Sequence, residues 1–415
     1  MQAQRRVALI SVHGDPAATI GAEQAGGQNV YVREVGRHLA ALGHQVDMFT
    51  RRISPDQPEI VQIAPGCRVV RLAAGPLEYT SRDHLYQYLP AFVTSLLQFV
   101  KKQRLSYEAV HTNYWLSGQV GLMLREVLHI PQIHTYHSLG AVKYLNVTEI
   151  PSVAKTRLKI EKAILETAER VVATSPQEEA HMRQYVSRAG RIDVIPCGVD
   201  IENFQPVDRS AARKQLGWGE DEKILFYVGR FDRRKGIETL VRAAARLSYP
   251  VRLVIGGGFT KDRGDGLERE RIGQIVESLG LAERTVFPGR LDQEDLATYY
   301  SAADATVVPS HYEPFGLVAV EAMACGTPVV ASKVGGLCYS IVHEETGLLV
   351  PPRDEMQFAE AFDRILTNPA LRDKLGEASI RRIHNHFTWA GVSRQLGNLY
   401  KRLAVESNSQ RSSVA

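Results

Sequence analysis

ATVVPSHYEPFGLVAVEAMACGTPVVAS, residues 305–332, contains a strand, a helix and a second strand with almost nothing between them. Its first run, ATVVPS, is rich in β-branched residues and halts at a proline. Its last run, PVVAS, follows a Gly-Thr-Pro turn. The segment between them is made of good helix formers, with Pro314 placed for the first helical position. Two short strands that are apolar throughout and joined by a helix read as parallel neighbours buried on both faces.

Outward from this unit the alternation repeats. KILFYVG (223–229), VRLVIGG (251–257), TVFPG (285–289) and GLLV (347–350) are further strands with helices between them. Upstream, VALISV (7–12), QVDMFT (45–50), AVHTN (109–113), QIHTYH (132–137), VVATS (171–175) and DVIPC (193–197) form an earlier series. Helices are expected to about Gly43 and over 85–102, 116–128, 152–168 and 176–188, with a hairpin-like region before the second of these. A polar, proline-containing segment at 197–223 separates the two series. The expectation is an α/β protein of two doubly wound Rossmann-like domains facing across a cleft, 1–205 and 206–388. A helix at 389–403 would pack back on the first domain, ahead of a disordered polar tail at 404–415. Ligands of such sheets sit beyond the carboxyl ends of the strands.

Composition agrees with this and narrows the function. The chain has 415 residues, 44% of them hydrophobic, enough for two sizeable cores. Fifty Lys and Arg against 46 Asp and Glu leave +4, too balanced for a general nucleic-acid binder, so anion recognition must be local. Cys67, Cys197, Cys325 and Cys338 include no CxxC pair and read as thiols of a reducing, cytoplasmic compartment. No apolar run reaches about 18 residues, and the first is too short for a signal peptide, so no membrane role is expected.

Three stretches can carry chemistry. In GAEQAGGQNVYV (21–32), Gly26 and Gly27 open a helix and let backbone approach a phosphate. In VGRFDRRKG (228–236), Arg230 and Lys235 flank a turn and can converge on a diphosphate, where a lone basic turn would be solvated surface. In the opening stretch, Phe315, Gly316, Leu317 and Val318 would offer amides and a positive helix end to an anion. Glu313 lies just before that helix, and Glu321 about two turns inside it. A carboxylate among Leu, Val, Ala and Met is costly unless something polar pairs with it.

VGRFDxxKG followed by ExFGLxxxExxxxGxPVV resembles the nucleotide-sugar half of retaining, family 4-type glycosyltransferases of the GT-B fold. The resemblance covers nearly the whole chain. It implies that Arg230 and Lys235 hold the donor diphosphate, with Gly27 and the amides of 315–318. It also implies that Glu313 meets the transferred sugar and Glu321 the ribose. GRLDQEDL (289–296) would supply the base pocket near Arg290 and Leu291, and His137 would line the transfer site. The set His137, Arg230, Lys235 and Glu313 is then the catalytic group. UDP-glucose enters as a substrate. No cofactor or metal is expected to be tightly bound, and a divalent cation would at most stimulate.

SVHGDP, AGGQNVYV, NYWLSG and HTYHSLGAVK are similar to sucrose-phosphate synthases, to sucrose synthases, and to the inositol-phosphate glycosyltransferases of mycothiol synthesis. For a phosphorylated acceptor the resemblance points to Gly26, Gln28, Asn29, Arg82, Tyr114, Ser138, Lys143 and Arg157, with Lys159 as a further cation. Gln28 follows the sucrose enzymes, whereas Ala25 departs from their usual threonine. The expectation is glucosyl transfer to fructose 6-phosphate, with a separate sucrose-phosphate phosphatase as the partner enzyme, since no phosphatase-like extension is present. Transfer from UDP-N-acetylglucosamine to inositol phosphate, epimerisation of a sugar nucleotide and non-catalytic sensing of a UDP-sugar are the alternatives.

Overall fold

The computed structural model describes residues 5–19, 26–145, 147, 149–261 and 264–412, with side chains described up to Glu406. Two compact units result, Met1–Pro196 with Trp389–Ala415, and Cys197–Thr388. The passage between them lies at Pro196–Cys197, earlier than the sequence boundary near 205. The reason is packing. Val199 pairs with Thr388, its amide donates 2.7 Å to the Phe387 carbonyl, and buried Phe204 lies 6.1 Å from the Tyr300 ring.

Among the described residues, eight strands make the sheet of the first unit. They are β1 (Arg6–Ile10), β2 (Gln45–Arg51), β3 (Ile60–Ala64), β4 (Cys67–Leu72), β5 (Ala109–Asn113), β6 (Gln132–Thr135), β7 (Arg170–Ala173) and β8 (Ile192–Val194). Their order is β3-β4-β2-β1-β5-β6-β7-β8. All pairs are parallel except β3 with β4, the expected hairpin at the sheet edge. The second unit carries β9 (Ile224–Val228), β10 (Arg252–Gly256), β11 (Thr285–Gly289), β12 (Ala305–Val308), β13 (Val329–Ser332) and β14 (Gly347–Val350). These run parallel in the order β11-β10-β9-β12-β13-β14. The central strands are buried along their length, as apolar runs without alternation require.

The C-terminal helix, Trp389–Ser412, belongs to the first unit. Its Tyr400 hydroxyl lies 2.6 Å from His111 Nδ1, and its Arg402 pairs with Asp193 at 3.0 Å. The polar stretch expected to be disordered instead continues this helix through Ser412. Once a helix is nucleated by buried contacts, adding polar residues costs little, and Glu406 bonds Arg170 at 3.2 Å. The helix expected at 85–102 divides into a 3-10 turn, Arg82–Tyr88, and a helix from Leu89, where Pro90 fits the first turn. No described helix is long and apolar enough to cross a membrane.

Candidate active site

In the second sheet, β9 is flanked by β10 on one side and by β12 on the other. From β9 the chain passes to β10 and from β12 to β13, in opposite directions, so a crevice opens at the carboxyl ends of β9 and β12. The loops that leave them meet there. The His311 amide donates 2.7 Å to the Arg234 carbonyl, and Lys235 Nζ lies 2.6 Å from Glu313 Oε2, which also accepts from Ser310 Oγ at 3.2 Å. Gly236 has φ +67, and a Cβ there would stand 2.0 Å from the Pro309 carbonyl oxygen. Only glycine lets the two loops approach so closely.

Four cations crowd the β9 loop, and their partners separate them. Arg234 is bound through its backbone amide and its guanidinium to Asp232. Burial alone would raise the Asp232 carboxyl, but Arg234 brings it down to about 2. Arg233 is largely exposed, 3.5 Å from Glu268. Lys235 is paired with Glu313. Arg230 is exposed and makes no ion pair among the described residues. The loop thus presents one guanidinium outside any ion pair among the described residues and one ammonium with donors to spare.

The helix after β12 begins at Leu317 rather than at Pro314. Gly316 caps it with φ +93, outside helical geometry, so Pro314 and Phe315 stay in the loop. The Phe315 ring is buried 5.9 Å from Phe387. The amides of Leu317 and Val318 then have no acceptor within the helix and lie at its positive end. Glu321 falls just over one turn inside, not two. Tyr300 donates to it at 2.9 Å, and burial pushes its carboxyl up to about 7. Gly335 and Gly336, which sequence reading passed over, support this loop from behind. The Gly336 amide donates 3.1 Å to the Glu313 carbonyl, and a Cβ on Gly335 (φ +48) would stand 2.1 Å from the same oxygen.

The base-pocket candidates follow β11. The Gly229 amide bonds the Gly256 carbonyl and the Gly257 amide that of Gly289, so the ends of β9, β10 and β11 draw together. Leu291 is half-buried beyond them, and exposed Arg290 lies 3.6 Å from Asp292.

The first unit has the same construction, with its crevice between β1 and β5. Gln28 Nε2 donates to Ser11 Oγ at 2.9 Å and to the Asn113 carbonyl at 3.4 Å. Asn29, expected to face the acceptor, is instead buried and closes the loop. It donates to the Asp15 carbonyl at 2.8 Å and accepts from the Gly26 amide at 3.0 Å. Gly27 is the exposed first residue of the helix Gly27–Ala41. Ala25 lies outside the described residues.

At the ends of β5 and β6, Tyr114 and His137 both have left-handed backbones, φ +73 and +59. For bulky residues this costs roughly 1–3 kcal/mol each and persists only where the surroundings impose it. Tyr114 OH accepts from Arg157 at 3.1 Å, and its ring lies 4.7 Å from His13. Arg157 is not the free cation expected from the sequence. It is buried, bonded to Glu161 at 2.7 Å, and holds the Ser138 carbonyl rather than its hydroxyl at 2.5 Å. Glu161 also accepts from the Gly140 amide. Lys159 is exposed, two positions along the helix Ala154–Thr167 from Arg157 and off its buried face. Lys143 sits by the Tyr144 ring. Arg82 makes no ion pair among the described residues, and after burial it is what most opposes protonation of His13. The structure therefore gathers Arg82, His13, Tyr114, Ser138 and Arg157, of which His13 was missed. No described group of three or more His, Cys, Asp or Glu could hold a metal ion.

Residues 208–382 match the family described as glycosyl transferases group 1, and residues 26–198 match the glycosyl transferase 4-like domain. The D-inositol 3-phosphate glycosyltransferase of Corynebacterium diphtheriae is 36% identical over 96% of this chain and 95% of its own. The chain is a group 1 glycosyltransferase of the GT-B fold. A second D-inositol 3-phosphate glycosyltransferase, from Geodermatophilus obscurus, is 41% identical to this glycosyltransferase over 97% of the chain and 90% of that protein. The structure of sucrose-phosphate synthase from Thermosynechococcus elongatus matches it with TM-score 0.91 and 51% identity, covering 97% of this chain and 100% of that one. Anabaena HepE in complex with UDP and glucose shares the fold, with TM-score 0.78 at 20% identity over 96% of this chain and 100% of that one.

Proposed function

We propose that this glycosyltransferase moves a glucosyl unit from UDP-glucose to fructose 6-phosphate with retention, releasing UDP and sucrose 6-phosphate. The observation that carries this reading is the 51% identity to sucrose-phosphate synthase over nearly the whole chain. Gln28 supports it, because the sucrose enzymes it resembles carry glutamine there; its Nε2 donates to Ser11 and to the Asn113 carbonyl.

The second unit performs the donor chemistry. Arg230, Lys235 and the amides at Leu317 and Val318 stabilise the charge that grows on the departing diphosphate. Glu313, held by Lys235 and Ser310, orients hydroxyls of the sugar, and Glu321 takes those of the ribose. No carboxylate is assigned as a nucleophile on the far face of the sugar. The acceptor hydroxyl attacks on the face the diphosphate leaves, and the diphosphate helps take its proton. Catalysis is then mostly positioning and charge stabilisation. In the first unit, Arg82 supplies the uncompensated charge for the acceptor phosphate, while Arg157, neutralised by Glu161, fixes Tyr114. No resident metal is assigned a step, and a divalent cation is at most a stimulator. The product calls for a phosphatase acting in the same cytoplasmic compartment.

A second reading is transfer from UDP-N-acetylglucosamine to inositol 3-phosphate, supported by relatives of that name at 36–41% identity. Family membership favours either transfer over epimerisation or sensing. UDP release measured across fructose 6-phosphate, fructose and inositol 3-phosphate, with both donors, decides between them. The expected order places fructose 6-phosphate with UDP-glucose first. Arg82→Ala should raise the KM for fructose 6-phosphate by roughly 10–100-fold, the worth of a charged hydrogen bond, and leave fructose unaffected. Faster turnover of inositol 3-phosphate, or of fructose over its phosphate, contradicts the proposal.

A further inference from the structure

Asn113 ends β5, fully buried, where the first sheet turns from β1 to β5. Its Nδ2 lies 3.4 Å from the Ile10 carbonyl and 3.3 Å from the His111 carbonyl. Both neighbours can only accept, so the amide nitrogen must face them and the amide oxygen must point away. That oxygen is 2.8 Å from Nε2 of His137. An amide oxygen cannot donate, so Nε2 carries the hydrogen.

Several groups face the His137 ring. Tyr31, on the helix Gly27–Ala41, meets it edge-on at 4.8 Å. His111 on β5, His134 on β6 and His13 in the loop after β1 are near enough to couple with it electrostatically. Arg82 and Arg157 act on His13. None of these groups is an anion that would favour imidazolium. Burial, then His111, holds His137 down to about 3, so the ring is neutral. With its hydrogen on Nε2, a neutral imidazole has its lone pair on Nδ1.

We propose that Asn113 is a positioning residue that fixes His137 in the tautomer whose Nδ1 accepts a hydrogen bond from a hydroxyl of the transferred sugar. This rests on the reading that His137 lines the transfer site.

The test is nitrogen NMR of the full-length protein labelled at histidine, with the His137 signals assigned by their loss in His137→Gln. The wild type should show hydrogen on Nε2 and none on Nδ1 from about pH 6 to 8, well above the ring's own ionisation. In Asn113→Asp the carboxylate should draw a second proton onto the ring. With donor saturating, kcat of that variant should fall roughly tenfold per pH unit below the new ionisation, where the wild type shows no such limb. Hydrogen on Nδ1 in the wild type overturns the inference, and that measurement stands even if the variant fails to fold. An unchanged spectrum in a folded Asn113→Asp also overturns it. A changed spectrum with wild-type kcat at every pH removes the positioning role together with the placement of His137 at the transfer site.

Discussion

Arg230→Ala should lower kcat by roughly 10²-fold, about 3 kcal/mol, while changing the donor KM much less. Three of the four cations of the β9 loop have carboxylate partners. Arg234 is spent on Asp232, Arg233 lies out by Glu268, and Lys235 is engaged with Glu313. Arg230 has no such partner among the described residues. It can therefore turn to the diphosphate without first breaking an ion pair. As the glycosidic bond lengthens, charge accumulates on the diphosphate, and a donor aimed at it contributes more in the transition state than in the ground state. Lys235→Ala is a less specific test, because it also frees the Glu313 carboxylate from its partner 2.6 Å away. Steady-state kinetics of Arg230→Ala at saturating acceptor check the point. Turnover close to wild type would remove Arg230 from the leaving-group site.

Glu321→Gln should raise the donor KM roughly 10–100-fold at pH 8, since hydrogen bonds to a charged group contribute about 1.5–3 kcal/mol each. The effect should shrink as pH falls. Burial places the wild-type carboxyl at about 7, so it is mostly ionised at pH 8 and mostly protonated at pH 6. In the proposed reading the ribose hydroxyls would donate to the ionised form. Wild-type donor affinity should therefore approach its full value only above about pH 8 and weaken toward tenfold per unit well below pH 7. The glutamine variant carries no ionisation there, and its donor KM should stay flat over the same range. Measuring donor KM against pH for both proteins distinguishes the cases. A variant that keeps the wild-type pH dependence would assign that titration to another group.

What could be read from the sequence was what is encoded locally. The apolar runs gave the strands because a strand buried on both faces leaves no polar alternation. Gly236 marked a turn because no other residue fits there, whereas a Cβ on Gly26 would meet nothing within 4 Å. The segments that required tertiary knowledge were less legible. Nothing local distinguishes a linker at 197–205 from one that pairs with Thr388 and buries Phe204. Pro314 is a plausible helix start in isolation, and only the left-handed Gly316 moves that start to Leu317. Arg157 is a different case. Its partner Glu161 stands four residues on along the same helix, a spacing that signals an ion pair, so its neutralisation was readable. The bond from Asn113 to His137 spans two strand ends, and positive φ at a tyrosine or a histidine has no sequence signature.

In the proposed reading the donor diphosphate lies in the crevice between the β9 and β12 loops. A crystal structure of the protein with UDP tests it most directly. Diphosphate oxygens should lie within hydrogen-bonding distance of Arg230, Lys235 and the amides at Leu317 and Val318, with the ribose on Glu321. A nucleotide bound elsewhere, or Arg230 and Lys235 directed into solvent away from it, would rule out this crevice as the donor site.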